Sequence, residues 1–420
     1  MTDELEADYV IVGAGAVAMA FADTLLTDTG HTIVMADRRH APGGHWNDAY
    51  PFVRLHSPSL NYGVNSAPLG SEAIEQTGAN RGLHELATGP EICAYYDRLM
   101  RRRFLPSGRV TWLPLTEVGE DGVATSRASG DRARLHAHRK TVDATFADTR
   151  LPATHPPAFK VAPGATLVSP TGLSRLKAPC EGFVIIGAGK TAMDTVIWLL
   201  EQGADPGMIR WIRPRDSWLL TRERLQPSDA FFADTFDGLA LEMEAARDAT
   251  STEDLFARLE AAGMLARIDP AVRPTMYRCA IVSRPELDQL RRVADVVRMG
   301  HVLALEPDRI VLEHGEVPTS PGHVHVDCTA DGIPRKAPEP IFQDGRIVLQ
   351  YVRRCSPTFS GALIAHVEAT ADGDDAEKNR LCAPIPPPDE PDDWLRMHLA
   401  GAGNAAAWSQ SQPSCCWRWP

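Results

Sequence analysis

The stretch Asp8-Tyr-Val-Ile-Val-Gly13-Ala-Gly15-Ala-Val-Ala18-Met-Ala-Phe-Ala-Asp-Thr-Leu-Leu26 decides the fold. Its unbroken apolar start is the pattern of a strand buried on both faces, the glycines make a tight turn, and the small residues that follow suit a helix lying close on that strand. Gly13 permits the sharp turn, Gly15 lets the backbone approach a pyrophosphate, and Ala18 keeps the helix near the sheet. The helix start offers unpaired N–H groups and a positive dipole end to phosphate. A second strand, Thr32-Ile-Val-Met-Ala-Asp37, sets a carboxylate 24 residues after Gly13, where it can accept hydrogen bonds from ribose hydroxyls.

The same grammar returns in Gly182-Phe-Val-Ile-Ile-Gly187-Ala-Gly189-Lys190-Thr191-Ala192, followed by the strand Met208-Ile-Arg-Trp-Ile-Arg213. One such turn can occur in an unrelated strand–helix pair. Two in the same context predict an α/β chain of two Rossmann-like, doubly wound dinucleotide-binding domains. Gly189-Lys190-Thr191 is not a phosphate-binding P-loop, because that motif needs a glycine five positions before Gly189, where Val184 stands. The second unit ends its second strand without an acid, on Arg213-Pro-Arg215. A guanidinium pairs with a 2′-phosphate that a carboxylate would repel, so this nucleotide is expected to be NADPH rather than NADH. The alternative is a pair of surface arginines. Arg38 and Arg39, next to Asp37, are read as contacts to an adenine face or to solvent.

At 420 residues the chain exceeds one ordinary core. Two domains are expected, with the Pro-rich 151–174 as linker. A helical insert is predicted over about 228–300 from the capping-box pairs Thr250/Glu253 and Ser283/Glu286 and the spacing of Leu287, Leu290, Val293 and Val297. Further strands are expected at Val110–Leu113, around Arg309–Leu312, at Val324-His-Val-Asp-Cys328 and at Arg346-Ile-Val-Leu-Gln-Tyr-Val352.

Composition narrows the function classes. A content of 44% hydrophobic and 23% charged residues is globular, and no apolar run nears the ~20 residues that span a bilayer. The acidic start runs into a strand and lacks the features of a secretory signal, so a cytoplasmic location is expected. A net charge of −12, with scattered arginines, argues against a nucleic-acid partner. Eight dispersed cysteines include no C-x-x-C pair, so neither a zinc knuckle nor a reductase dithiol is indicated, and reduced thiols are expected. Adjacent Cys415 and Cys416, and the tail with Trp408, Trp417 and Trp419, receive no role.

Beyond the glycine turns, Gly43-Gly44-His45-Trp46, Tyr50-Pro51 and Leu55-His56-Ser57-Pro58 complete a pattern that resembles the flavoprotein monooxygenase superfamily with paired dinucleotide-binding domains. That group includes flavin-containing and Baeyer–Villiger monooxygenases. The resemblance covers about 1–365. It extends to Asp327-Cys-Thr329-Ala330-Asp-Gly332, similar to the family turn at the domain crossover, and to Ser356-Pro-Thr-Phe359-Ser-Gly361-Ala362, similar to its C-terminal flavin contact. It implies FAD in a first domain made of residues 1–150 with 321–420, NADPH in a second, 175–320, inserted into the first, and chemistry in the cleft between. One departure stands out: the linker fingerprint F-x-G-x-x-x-H-x-x-x-W/F is missing, since the segment after Phe159 has neither the histidine nor the aromatic residue in place.

The activity implied is hydride transfer from NADPH to flavin, capture of dioxygen as a peroxyflavin, and insertion of one oxygen atom into a small organic substrate. A flavin dehydrogenase or oxidase of the same architecture is the alternative, supported by the missing fingerprint. A nucleotide sensor that binds a protein partner is a third reading, and a homo-oligomer is compatible with all of them. Trp46, Arg54, His56, Ser57 and Tyr62 are candidate cleft residues, with ordinary packing as the other account of each. No catalytic base is singled out. His323 and His325 share a strand face but lack a third metal ligand, and His155 reads as a linker residue.

Overall fold

The computed structural model of the protein describes residues 3–411; Cys415, Cys416, Trp417 and Trp419 lie outside them. The opening stretch makes β1 (Asp3–Val12), α1 (Ala16–Asp28) and β2 (Ile33–Ala36). Then come α2 (Gly89–Leu99), β3 (Val110–Leu113), β4 (Thr116–Val118), β5 (Val123–Ser126) and the long β6 (Arg132–Asp143). After β7 (Lys160–Val161), β8 (Leu167–Val168) and α3 (Pro170–Leu173), the second glycine stretch forms β9 (Gly182–Ile186), α4 (Lys190–Glu201) and β10 (Ile209–Ile212). There follow β11 (Ser217–Thr221), α5 (Phe232–Asp248), α6 (Thr252–Ala261), β12 (Leu265–Ala266), β13 (Met276–Val282), α7 (Arg284–Leu290) and β14 (Asp295–Val297). The chain continues through β15 (Val302–Leu305), β16 (Arg309–Leu312), β17 (Gly315–Pro318) and β18 (His323–Asp327). It closes with β19 (Phe342–Gln343), β20 (Arg346–Val348), α8 (Pro357–Thr370), α9 (Asp375–Leu381) and α10 (Asp392–Ser411).

Two sheets repeat one plan. The first runs β3-β2-β1-β6-β20 with parallel neighbours, and the second β14-β10-β9-β18-β8, likewise parallel. The second sheet lies, in sequence, between β6 and β20 of the first, so it is an insertion. The strand ends are tied by matching backbone bonds. Gly13 N–H donates to Ala36 O (2.7 Å) as Gly187 N–H does to Ile212 O (3.0 Å); Ala144 N–H donates to Val12 O (3.0 Å) as Cys328 N–H does to Ile186 O (2.8 Å). Asp37 and Arg213 likewise donate to Leu113 O (3.1 Å) and Val297 O (2.9 Å). One turn geometry, written twice, therefore ends the central strands of both units.

The first core lies where α1 crosses α8. Ala18, Ala22, Ala362 and Ala365 are fully buried there with Phe21 and Leu363. Gly361 is obligatory in this crossing, because a Cβ would run into the carbonyl oxygen of Val17. Each large apolar side chain hidden here contributes about 1.5–3 kcal/mol relative to exposure.

Four expectations need correction. The 228–300 insert is mixed rather than helical: α5, α6 and α7 are present, but β12-β11-β13 form their own sheet, and β14 is the edge of the second sheet. Met276–Val282 is aromatic- and β-branched-rich, and the helical spacing after Leu287 continues past Leu290 only in sequence, since Val297 lies in β14. The first insert cap sits one residue later than expected, with Ser251 Oγ accepting from Asp254 N–H (3.1 Å); the Ser283/Glu286 capping box is present. Finally, residues 321–327 belong to the second sheet as β18, and the 151–174 segment supplies β7 and β8, so it is strand-paired rather than a free linker.

Candidate functional site

The first glycine turn is walled by bare backbone. Asp37, buried at the end of β2, accepts from Ala14 N–H (2.7 Å) and Arg39 N–H (2.8 Å), which fastens the turn to the sheet and leaves the carboxylate further lone pairs. Gly43 N–H donates to Ala14 O (2.8 Å), and Gly44, with φ of +58°, lies so close that a Cβ on it would stand 2.8 Å from Gly15 Cα. α1 begins on Gly15 with no side-chain cap, so its first N–H groups remain available to an anion. Ala18 sits behind, on the buried face.

The facing wall comes from later elements. Thr145, which sequence reading missed, donates its N–H (2.8 Å) and Oγ1 (2.7 Å) to Asp143 at the end of β6. In the second unit Thr329 does the same to Asp327 (2.9 and 2.7 Å). The repeated Asp-x-Thr after a Val-containing strand was the signal that could have revealed it. In α8, Thr358 is buried with no partner for its Oγ1, and Phe359 is buried beside Trp408. A cavity of about 440 Å³ is lined by His40, Pro42, Asn47, Cys93 and Trp112 among others. Arg38 is exposed, while Arg39 pairs with Asp48 at 2.6 Å.

Beside this cradle, Trp46 Nε1 donates to Tyr62 Oη (2.8 Å), and the His45 ring lies 5.0 Å from that of Trp46. Burial, assisted by Arg39, lowers the His45 pKa to about 4, so the ring is neutral at pH 7; burial raises that of Tyr62 to about 12.

The second cradle follows suit. Gly187, with φ of +133°, passes so near the Cys328 carbonyl that a Cβ would lie 2.5 Å from its oxygen, whereas nothing lies within 4 Å of a Cβ on Gly189, the first residue before α4. Lys190 pairs with Asp194 one turn on, and Asp194 also accepts from Tyr50 Oη (2.7 Å). Thr191 is partly buried and Ala330 follows Thr329 at the crossover. Arg213 and Arg215 stand at the end of β10 as expected, but both are engaged. Arg213 is 3% exposed, lies over the Trp211 ring at 4.9 Å and pairs with Asp216. Burial, with Arg298 nearby, brings its pKa down to about 10. Arg215 pairs with Asp389 (3.0 Å) and donates to Thr275 O (2.9 Å).

Residues 50–84 stitch the units together. Phe52 stacks on Trp198 with centroids 4.6 Å apart, and His56 Nδ1 accepts from Ile281 N–H (3.2 Å). Buried Arg222 donates to His56 O (2.9 Å) and pairs with Glu286 (2.8 Å). Burial first, then Lys190 and Arg222, lower the His56 pKa to about 3. Arg54 turns away to Glu75 and Leu86 O, and Ser57 is half-buried between His56 and Pro58. His325 is spent on Thr319 Oγ1 (2.7 Å) and Thr166 O (2.9 Å), and His323 also reaches Thr319 (3.1 Å). No described helix is long and apolar enough to cross a membrane.

No family model matches the chain. Paired parallel sheets with two bare-glycine cradles define its class, the two-dinucleotide-domain fold of flavin monooxygenases. An open crystal structure of cyclohexanone monooxygenase is similar at a TM-score of 0.55 and 13% identity, covering 97% of this chain and 98% of that one. An oxidized steroid monooxygenase bound to NADP is similar at 0.54 and 15% identity, covering 87% and 84%. The uncharacterized protein Rv2000 of Mycobacterium tuberculosis is 49% identical over 404 residues, 96% of this chain and 75% of its own length. The chain belongs to the family of that protein.

Proposed function

We propose that the protein is an FAD-dependent, NADPH-using monooxygenase of the cytoplasm that inserts one oxygen atom of dioxygen into a small organic substrate. The observation that carries this is the duplicated cradle. In each unit a left-handed glycine, an uncapped helix start and an Asp-x-Thr turn surround a strip of backbone that a Cβ would fill, which suits a pyrophosphate. The residues that fit FAD are Gly13, Gly15, Ala18, Asp37, Arg38, Gly44, His45, Trp46 and Ser57, with Phe359 and Gly361 from α8. Those that fit NADPH are Gly187, Gly189, Lys190 and Thr191, with Thr329 and Ala330 at the crossover, whereas Arg213 and Arg215, expected to meet the 2′-phosphate, are held by Asp216 and Asp389 instead. The unpartnered Thr358 Oγ1 fits a hydrogen bond to a group lying on the α8 start.

FAD would supply hydride acceptance and oxygen activation. The chain's part is to bind, orient and exclude water. Asp37 keeps lone pairs for a ribose, while the Trp46–Tyr62 bond holds the indole fixed beside the cradle. Phe52 on Trp198 and Tyr50 on Asp194 close the seam between units. The likeness in fold to the steroid and cyclohexanone monooxygenases supports a small organic substrate and oxygen insertion.

One observation favours a dehydrogenase or oxidase instead. The segment where the family's linker histidine would stand is paired as β7 and β8, with no histidine between Phe159 and Leu173. Anaerobic mixing of the FAD-loaded protein with NADPH, and separately NADH, followed by oxygenated buffer, decides between them. Flavin bleaching by NADPH, then oxygen uptake matched by an oxygenated ketone, amine or sulfide, is the expected result. Bleaching with stoichiometric peroxide and no oxygenated product would favour the oxidase. Failure to hold flavin, or to bleach with either nucleotide, would sink both.

A further inference from the structure

Residues 46–62 run between the two cradles. Trp46 and Tyr62 bond each other beside the first, while Tyr50 and Phe52 lie on Asp194 and Trp198 of α4, the helix that starts at the second. His56 belongs to this run and is clamped from the second unit. Its carbonyl oxygen accepts from Arg222 Nε (2.9 Å), and Arg222, fully buried, is itself fixed by Glu286 (2.8 Å). β13 shifts register against β11 between Trp218↔Tyr277 and Leu220↔Ile281, and where pairing resumes Ile281 N–H donates to His56 Nδ1 (3.2 Å). Backbone and ring are both held.

The ring bond settles where the proton sits. A backbone N–H only donates, so Nδ1 must offer its lone pair, and a neutral imidazole with a bare Nδ1 carries its hydrogen on Nε2. Protonating the ring would set two N–H groups against each other; burial, then Lys190 and Arg222, oppose it as well. Nε2 has no hydrogen-bond partner among the described residues. It is not sealed in either: His56 is half-buried, and its Nε2, unlike His84 Nδ1 or Thr358 Oγ1, keeps access to solvent. With Nδ1 against β13, this donor opens on the other edge of the ring, in the seam between the units.

We propose that His56 is a fixed hydrogen-bond donor to the ligand in the cleft, its Nε2–H directed at an uncharged carbonyl oxygen, either the carboxamide of a nicotinamide or the carbonyl of the substrate. This deepens the monooxygenase reading and rests on it. A neutral N–H that cannot accept selects for acceptors. It suits a carbonyl, brings no charge for a phosphate, and leaves a protonated amine without a partner. The donor is in place before the ligand arrives, so little side-chain freedom is lost on binding. It is not an acid or a base, since Nδ1 is spent on Ile281. The sequence marked the position but not the tautomer, because Ile281 lies 225 residues away.

The test follows the His56 ring by nuclear magnetic resonance in the full-length protein carrying isotope-labelled histidine, the ring being identified by coupling across the Ile281 bond. At neutral pH Nδ1 should be bare and Nε2 protonated. NADP+ or cyclohexanone should shift the Nε2 proton and slow its exchange, and the one that does so names the carbonyl; 2′,5′-ADP, which lacks the nicotinamide, and cyclohexylammonium should not. His56→Asn keeps an acceptor for Ile281 N–H but places no donor where Nε2 stands. It should bind the responding probe about fivefold more weakly, the worth of one neutral hydrogen bond, with 2′,5′-ADP affinity unchanged. Should that variant not fold, the wild-type ring decides alone. A hydrogen on Nδ1, silence toward both carbonyl probes, an equal response to 2′,5′-ADP or cyclohexylammonium, or unchanged probe affinity in His56→Asn overturns the proposal. Binding of 2′,5′-ADP reports on the second cradle separately: its failure counts against the nucleotide reading, whereas a silent His56 beside bound nucleotide and ketone counts against this inference alone.

Discussion

Gly44→Ala tests the cradle directly. Gly44 has φ of +58°, and a Cβ there would stand 2.8 Å from Gly15 Cα, in the turn that receives the pyrophosphate on the proposed reading. Two costs follow. The left-handed backbone opposes a Cβ by about 1–2 kcal/mol, and relief of the clash must move backbone, at about 1–3 kcal/mol. Gly345 provides the control, since its φ is +65° and nothing lies within 4 Å of its Cβ position. Gly345→Ala carries the first cost without the second. FAD titration of the two apo-proteins should therefore give unchanged affinity for Gly345→Ala and about 10- to 100-fold weaker binding for Gly44→Ala, at 1.4 kcal/mol per tenfold. Thermal unfolding should show both variants destabilised, Gly44→Ala by more. Equal FAD affinities would refute the assignment of this close approach to cofactor binding.

Arg222→Met should cost about 3–5 kcal/mol, because it strands the partly buried Glu286 carboxylate 2.8 Å from the lost guanidinium; a urea-midpoint shift worth under about 1 kcal/mol would contradict this. His45 and His56, at about 4 and about 3 against 6.5, lie below their unfolded value, so the unfolded chain protonates first on acidification. Stability from these rings is whole above about pH 6.5 and falls toward pH 4, with a slope approaching about 1.4 kcal/mol per pH unit for each, less any screening at their exposed edges. His56→Gln should remove about half of that slope in denaturant titrations at several pH values, and an unchanged slope would show that the ring is not held neutral. Tyr50→Phe removes a 2.7 Å bond to Asp194, worth about 1 kcal/mol, and should weaken NADPH binding roughly fivefold with flavin content unchanged. Equilibrium titration with the nucleotide checks this, and an effect on flavin alone would place Tyr50 in the other cradle.

How much of the site was legible depended on how local its chemistry is. The glycine turns, Ala18, Asp37 and Gly43-Gly44 were readable because each acts through its own backbone or a neighbour fixed by strand–turn–helix geometry. Arg213 and Arg215 were placed correctly at the end of β10, yet their acids, Asp216 and Asp389, come from a turn and from a segment far along the chain. Arg222, Glu286, Asp194 and Tyr50 carried no pattern of their own. They matter only because residues 50–84 lie across the second unit.

The sequence by itself determined the two dinucleotide-type units and their order, since apolar runs and obligatory glycines are short-range demands that one segment can express alone. Only the tertiary structure decided the sheet membership of β18, the strands within the insert and the bulge in β13. Each depends on pairing between distant segments: β18 gains its backbone bonds from β9 and β8, and the β13 bulge exists only against β11. Hydrogen-bond satisfaction of a strand is a property of its partner, and no periodicity in the strand itself records which partner that will be.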